Sequence, residues 1–231
     1  MRIAQVATVA TPVRAVGAGS VESIVFSLAD ALTRRGDEVT VFGMAGSWAP
    51  GEVVETLPGT YGQNGAPSDW HLCEWINLCA AVARSGEFDL IHSHAYLWGL
   101  PLDPVARCPM VHTLHIGADD EAAALWARTP DACVTAISEF QWRGFEPLRP
   151  AAVIPHGVDP ALHSFEPRPG DYACFLGRFI PSKGPVEAIE AARALGLPVV
   201  MIARPHKPAG EIMADLDACV AWLHGLAPRG V

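Results

Sequence analysis

Short apolar runs alternating with helix-length amphipathic stretches constrain this chain more than any other feature. The runs fall at residues 3–9, 39–42, 53–57, 89–92, 110–114, 132–137 and 152–154. Most are apolar at consecutive positions, so both faces of each strand need cover, which suits a parallel sheet between helices. Between the first two, after the loop "TPVRAVGAGS", Val21, Ile24, Val25, Leu28 and Leu32 recur at helical spacing. Ser20 is expected to cap that helix, with Glu22 in its first turn and Arg34 and Arg35 before the terminating Gly36. Asp69 opens a helical pattern reaching about Arg84, after a glycine- and proline-rich stretch that reads as surface loop around one strand. Further helical material is expected near 97–106 and 119–127, and Ser138 caps a short helix.

Composition excludes several classes. With 231 residues, half of them hydrophobic, the chain suffices for one full domain and part of another. Sixteen Lys and Arg against 25 Asp and Glu give a net charge of −9, which argues against a surface that coats nucleic acid. The six cysteines form no CxxC pair, and Cys133 and Cys174 fall inside apparent strands, so buried free thiols and a reducing cytoplasm are expected. Gln5 and Thr8 interrupt "IAQVATVA", which therefore reads as a first strand rather than a leader. No run approaches the ~20 apolar residues of a membrane span, so membrane contact would be peripheral.

Chemistry concentrates in "FLGRFIPSKGP" at 175–185. A strand over 172–176 and the turn at Gly177 lead to a helix that Ser182 caps and Pro185 opens. Arg178 and Lys183 then flank a helix N-terminus, whose unpaired N–H groups and dipole favour an anion, a diphosphate being the natural ligand. A plain strand–turn–helix with solvated cations is the alternative.

"LGRFIPSKG" followed by "EAIEAARALGLPVVMIA" resembles the donor segment of family 4 glycosyltransferases, which have the two-Rossmann-domain GT-B architecture. The resemblance implies transfer of a sugar from a nucleotide-diphosphate sugar to an acceptor hydroxyl, with retention, no catalytic metal and no cofactor beyond the co-substrate. It implies that Arg178 and Lys183 hold the diphosphate. Gly19, Ser20, Val21 and Glu22 stand where the family often has Gly-Gly-x-Glu, so Gly19 and Ser20 are either donor-phosphate contacts or an ordinary helix start. "VHTLH" at 111–115 resembles the segment whose histidine lies near the reacting sugar, a role carried to His115. "IPHGVD" at 154–159 resembles the interdomain junction, usually Pro-Asn-Gly, which makes His156 a turn residue. His92 and His94 share a face in the pattern of a metal-binding His-x-His pair but lack a third ligand at recognisable spacing, which favours a structural or cleft-lining role.

The resulting expectation is a GT-B-like α/β chain, with an acceptor-side Rossmann-like domain over 1–160 and a partial donor-side domain over 161–231. The family's Glu-x7-Glu element has no counterpart before Val231, so the second domain reads as cut short. An incomplete sheet leaves an edge to be covered by a second copy, a partner chain or the last helical pattern, 210–223. Asp215 and Asp217 lie inside that pattern and diverge by about 200° around a helix, which is wrong for a shared metal. A non-catalytic glycan- or metabolite-binding descendant, or a half-enzyme completed in trans, are the rival readings.

Overall fold

The computed structural model describes residues 1–117, 119–160, 165–168, 170–178, 180 and 183–202. The chain divides into two compact units, residues 1–163 and 164–231.

In the first unit, β1 (Arg2–Val6), β2 (Glu38–Met44), β3 (Glu52–Leu57), β4 (Leu90–Ser93), β5 (Met110–Leu114), β6 (Cys133–Ala136) and β7 (Ala152–Val153) form one sheet in the order β3-β2-β1-β4-β5-β6-β7. Every pairing is parallel. The order reverses between β1 and β4, and the crevice at the carboxyl ends of such a switch is where open α/β sheets take ligands.

Helices cover parts of both faces. α1 (Ser20–Arg34) buries Val25 and Ala29 against Ala7, Val39 and Val41. On the opposite face α2 (Trp70–Ala83) packs Leu78 and Ala81 against Ala4, Val6, Phe42 and Ile91. α3 (Asp120–Trp126) continues that layer, with Trp126 against Phe145, and a short α4 (Glu139–Arg143) follows β6. The cap expected at Ser138 forms, and Asp69 and Asp119 cap their helices too, each side chain accepting from N–H groups of its helix's first turn.

Several details depart from the sequence reading. Ser20 is the first helical residue, and the N-cap is Gly19, with no side-chain cap bond. Only a 3-10 turn, Leu100–Val105, forms within the helical stretch expected at 97–106, where Pro101 and Pro104 remove the amides a longer helix needs. The buried thiols expected at Cys133 and Cys174 are both exposed: Cys133 begins β6 at the sheet's amino edge, and Cys174 points outward from its strand. Both are free, as are Cys73, Cys79 and Cys108.

In the second unit β8 (Ala173–Leu176) and β9 (Val199–Ile202) pair in parallel around α5 (Pro185–Ala194). Ser182, Asp215, Asp217, Cys219 and the last helical pattern lie outside the described residues.

Candidate functional site

Strand alternation explains why polar groups collect on one face of the first sheet. Ala4 and Val6 enter the core on the α2 side, so Gln5 points to the α1 side. His92 on β4, Thr113 on β5 and Thr135 on β6 share that face, and His94 and His115 continue it just past the carboxyl ends of β4 and β5. α1 packs on this face over the β1–β2–β3 side of the sheet. Beyond it lies a groove of about 570 Å³, walled by Ile24, Leu28 and Ala31 of α1 and floored by His92, His94, Thr113 and Thr135, with His156 at its edge. Ile24 and Leu28, expected on the helix's core-facing side, therefore wall the groove.

Two polar ladders run across the strands. The Nε2 of His92 is 2.7 Å from the Thr113 hydroxyl, which is 2.9 Å from the Thr135 hydroxyl. Nearer the carboxyl edge, Gln5 Oε1 is 2.8 Å from His94 Nε2, His94 Nδ1 is 3.0 Å from His115 Nε2, and His115 Nδ1 is 3.1 Å from His156 Nε2. The rings of His92 and His94 overlap at 4.1 Å, and those of His115 and His156 stack at 4.9 Å.

A neutral imidazole has one N–H and one lone pair, so the chain has a direction. With the Gln5 carbonyl turned towards His94, that direction is assigned as Gln5 Oε1 accepting from His94 Nε2–H, His94 Nδ1 from His115 Nε2–H, and His115 Nδ1 from His156 Nε2–H. The Nδ1 lone pair of His156 is left at the outer end. Burial pushes His92 and His115 down to about 4, with the charge of a histidine neighbour adding to each. His94 lies well below the usual histidine value for the same reason, and burial lowers His156 as well. The rings are therefore neutral at physiological pH.

His115, the histidine carried over from the resemblance, has both ring nitrogens engaged by other histidines, and His156 is the exposed end of the series. His156 is thus more than a turn residue. Neither link was readable from spacing, because the three histidines come from separate strand ends.

The loop after β1 is closed by a carboxylate. The buried Glu22 Oε1 accepts from the Thr8 hydroxyl at 2.8 Å and from Thr11 N–H at 3.1 Å. Gly19 N–H donates to the Thr11 hydroxyl at 2.6 Å, and a Cβ on Gly19 would meet Glu22 Oε2 at 2.1 Å. The Gly19 amide is therefore engaged within the protein, while Ser20 is exposed at the helix start. Behind this loop Glu74 Oε1 accepts from Val9 N–H at 3.1 Å and from the Tyr61 hydroxyl at 3.3 Å, and burial pushes Glu74 up to about 7.

In the second unit Arg178 and Lys183 are exposed on the connection between β8 and α5. Ile180 N–H donates to Arg178 O and Lys183 N–H to Ile180 O. Gly184, at φ +68, is the N-cap of α5 without a side-chain cap, and Pro185 has no N–H of its own. Among the described residues, no group of three His, Cys, Asp or Glu is placed to hold a metal ion, and no helix is long and apolar enough to cross a membrane.

Residues 21–162 match the profile of Glycosyltransferase Family 4. D-inositol 3-phosphate glycosyltransferases of Mycobacterium bovis and Mycobacterium tuberculosis are 30% identical over 95% of this chain and 56% of their own. The chain thus spans about half the length of those relatives. A precorrin-6A reductase of Rhodobacter capsulatus is 56% identical over 43 residues, 18% of this chain and 17% of its own. MurG of Acinetobacter baumannii aligns over 90% of this chain and 69% of its own at 12% identity, with a TM-score of 0.46.

Proposed function

Because the chain belongs to glycosyltransferase family 4, we propose that it transfers a sugar from a nucleoside diphosphate sugar to a hydroxyl of a cyclic polyol, with retention and without a metal ion or further cofactor. The observation that carries this reading is the neutral histidine series at the carboxyl edge of the sheet, within the segment that matches the family. The polyol class follows the D-inositol 3-phosphate glycosyltransferases, the named relatives of greatest coverage.

In the reaction a bond forms between the acceptor oxygen and the anomeric carbon as the bond from that carbon to the diphosphate breaks. The acceptor proton ends on the released diphosphate. His156 Nδ1 accepts a hydrogen bond from the acceptor hydroxyl. With its affinity for protons lowered by burial, this imidazole orients the hydroxyl rather than carrying its proton away. His115 and His94 hold His156 in the tautomer that leaves Nδ1 bare. Arg178, Lys183 and the start of α5 offset the charge of the diphosphate, as a metal does elsewhere. The exposed Ser20 contributes a hydroxyl to the donor phosphate, whereas Gly19 shapes the loop.

The test is release of nucleoside diphosphate from UDP-, GDP- and ADP-sugars in the presence of cyclic polyols. Release that falls in His156→Ala and Lys183→Ala is expected. Absence of release together with absence of binding of UDP, GDP and ADP to the purified chain contradicts the reading.

A further inference from the structure

The connection that carries His94 out of β4 leads directly into a cluster of rings that the histidine series does not use. Trp98 is its hub: its ring lies 5.9 Å from Trp70, 4.9 Å from His71 and 6.1 Å from Tyr96, near edge-on to the first two. Trp70 and His71 open α2, whose N-terminus lies at the carboxyl edge because α2 runs back along the sheet from the end of β3. Tyr96 and Trp98 follow β4 at the same edge.

The cluster is anchored below and open above. Trp98 packs on the core beneath α2, and its Nε1 is buried without a hydrogen-bond partner, so packing alone holds the indole. His71 lies against Trp70 at 3.8 Å, yet Trp70 is 42% exposed and the His71 side chain 46%. Tyr96 holds a left-handed backbone, φ 54, unusual for a bulky residue and fixed here by its surroundings.

Acceptors of hydrogen bonds flank the rings on two sides. Asp69 lies 3.2 Å from His71 Nδ1, and Asp119 accepts from the Tyr96 hydroxyl at 3.3 Å. An apolar surface rimmed by carboxylates suits a neutral ligand with an apolar C–H face and a hydroxyl edge. It repels a phosphate, while the exposed carboxylates, which already hold their helix caps, keep lone pairs that a hydroxyl edge can use and an alkyl ligand cannot.

We propose that Trp70, His71, Tyr96 and Trp98 form a stacking platform for the C–H face of a neutral pyranose ring, which would be the acceptor or the sugar unit next to its reacting hydroxyl. This deepens the transferase reading by narrowing the acceptor from a cyclic polyol to a neutral pyranose or a polyol that carries one, and rests on it only for the word acceptor. Binding of the sugar does not require the donor.

The experiment is saturation-transfer NMR on the full chain with methyl β-D-glucopyranoside, methyl β-D-galactopyranoside and methyl α-D-mannopyranoside as probes. At least one is expected to receive saturation mainly on the hydrogens of one ring face, and Trp70→Ala to weaken its binding about five- to tenfold at an unchanged melting temperature. Trp98→Phe keeps an aromatic ring in the core and shrinks the platform, so it serves as the second variant and should weaken binding in the same sense. No transfer to any probe overturns the proposal, as does equal affinity in wild type, Trp70→Ala and Trp98→Phe. Consumption of nucleotide sugar by the wild-type chain separates the two ideas. Sugar binding by a wild-type chain that consumes no nucleotide sugar leaves the platform standing and removes the transferase reading; consumption with acceptor KM unchanged in both tryptophan variants does the reverse.

Discussion

His94 Nδ1 stands 3.0 Å from His115 Nε2, so two imidazoles from the ends of adjacent strands share a single proton. A second proton between them would set two N–H donors against each other in a buried place. The same condition applies at every link from Gln5 to His156. Gln5 cannot accept and pass on a proton as an imidazole does, so the series is closed at its inner end and positions His156 rather than conducting protons.

Stability should therefore fall in acid. His92 and His115 titrate in the folded chain at about 4, against an ordinary value of 6.5, and His94 lies lower than ordinary too. Above 6.5 the groups are neutral folded or unfolded; as pH falls towards 4 the unfolded chain takes up protons that the folded chain refuses. Each such group removes roughly 2–3 kcal/mol across that window, less where the rings are coupled. Urea midpoints measured from pH 8 to pH 4 should drop steeply below 6.5, and a flat profile would show that the rings are charged or solvated.

Glu74 works in the opposite direction. Its folded value of about 7 lies above the ordinary 4.5, so the stability tied to its protonated form is present below 4.5 and lost as pH rises through 7. Oε1 accepts both hydrogen bonds, and the buried Oε2 has no partner, which suits a protonated Oε2. Glu74→Gln keeps the acceptor and removes the charge. It should raise stability at pH 8 by about 1–2 kcal/mol and leave it little changed at pH 5. Destabilisation at pH 8 would be the contrary result.

Gly19 is fixed by space rather than by backbone dihedral. A Cβ placed 2.1 Å from Glu22 Oε2 must push the carboxylate off Thr8 and Thr11, so Gly19→Ala should destabilise the chain by about 1–3 kcal/mol. Ser20→Ala, at an exposed position with no cap bond, should leave stability within about 0.5 kcal/mol. Thermal unfolding of the two variants side by side checks the contrast.

Arg178→Ala and Lys183→Ala address the diphosphate. Each charge-assisted contact is worth roughly 1.5–3 kcal/mol, so either change should weaken UDP, GDP or ADP binding about tenfold or more. Equal dissociation constants in calorimetry of wild type and both variants would remove the clamp.

Much of the fold is legible in the sequence because its signals are local. Ser138 caps the short helix that follows it, Asp69 opens α2, and neighbouring apolar residues mark β1 and β2 as covered on both faces. The site is less legible because its links are between strands. Gln5 looks like an interruption of an apolar run, yet it faces the same side as His92, and only the pairing of β1 with β4 brings it to His94. Glu22 reads as a helix-dipole residue, but its carboxylate closes a loop that reaches back to Thr8, which displaces the expected Ser20 cap. Trp70 and Trp98 meet across two separate strand–helix connections, which no short motif encodes.

The most direct test is the protonation of the histidine series, read from long-range ¹H–¹⁵N correlation of the imidazole nitrogens at pH 7. The structure predicts neutral rings at His94, His115 and His156, each carrying its proton on Nε2, with His156 Nδ1 unprotonated and shifting when an acceptor polyol is added. A cationic ring at any of the three, or protons on Nδ1 throughout, would contradict a series whose direction is set by the Gln5 carbonyl and whose lone pair faces outward.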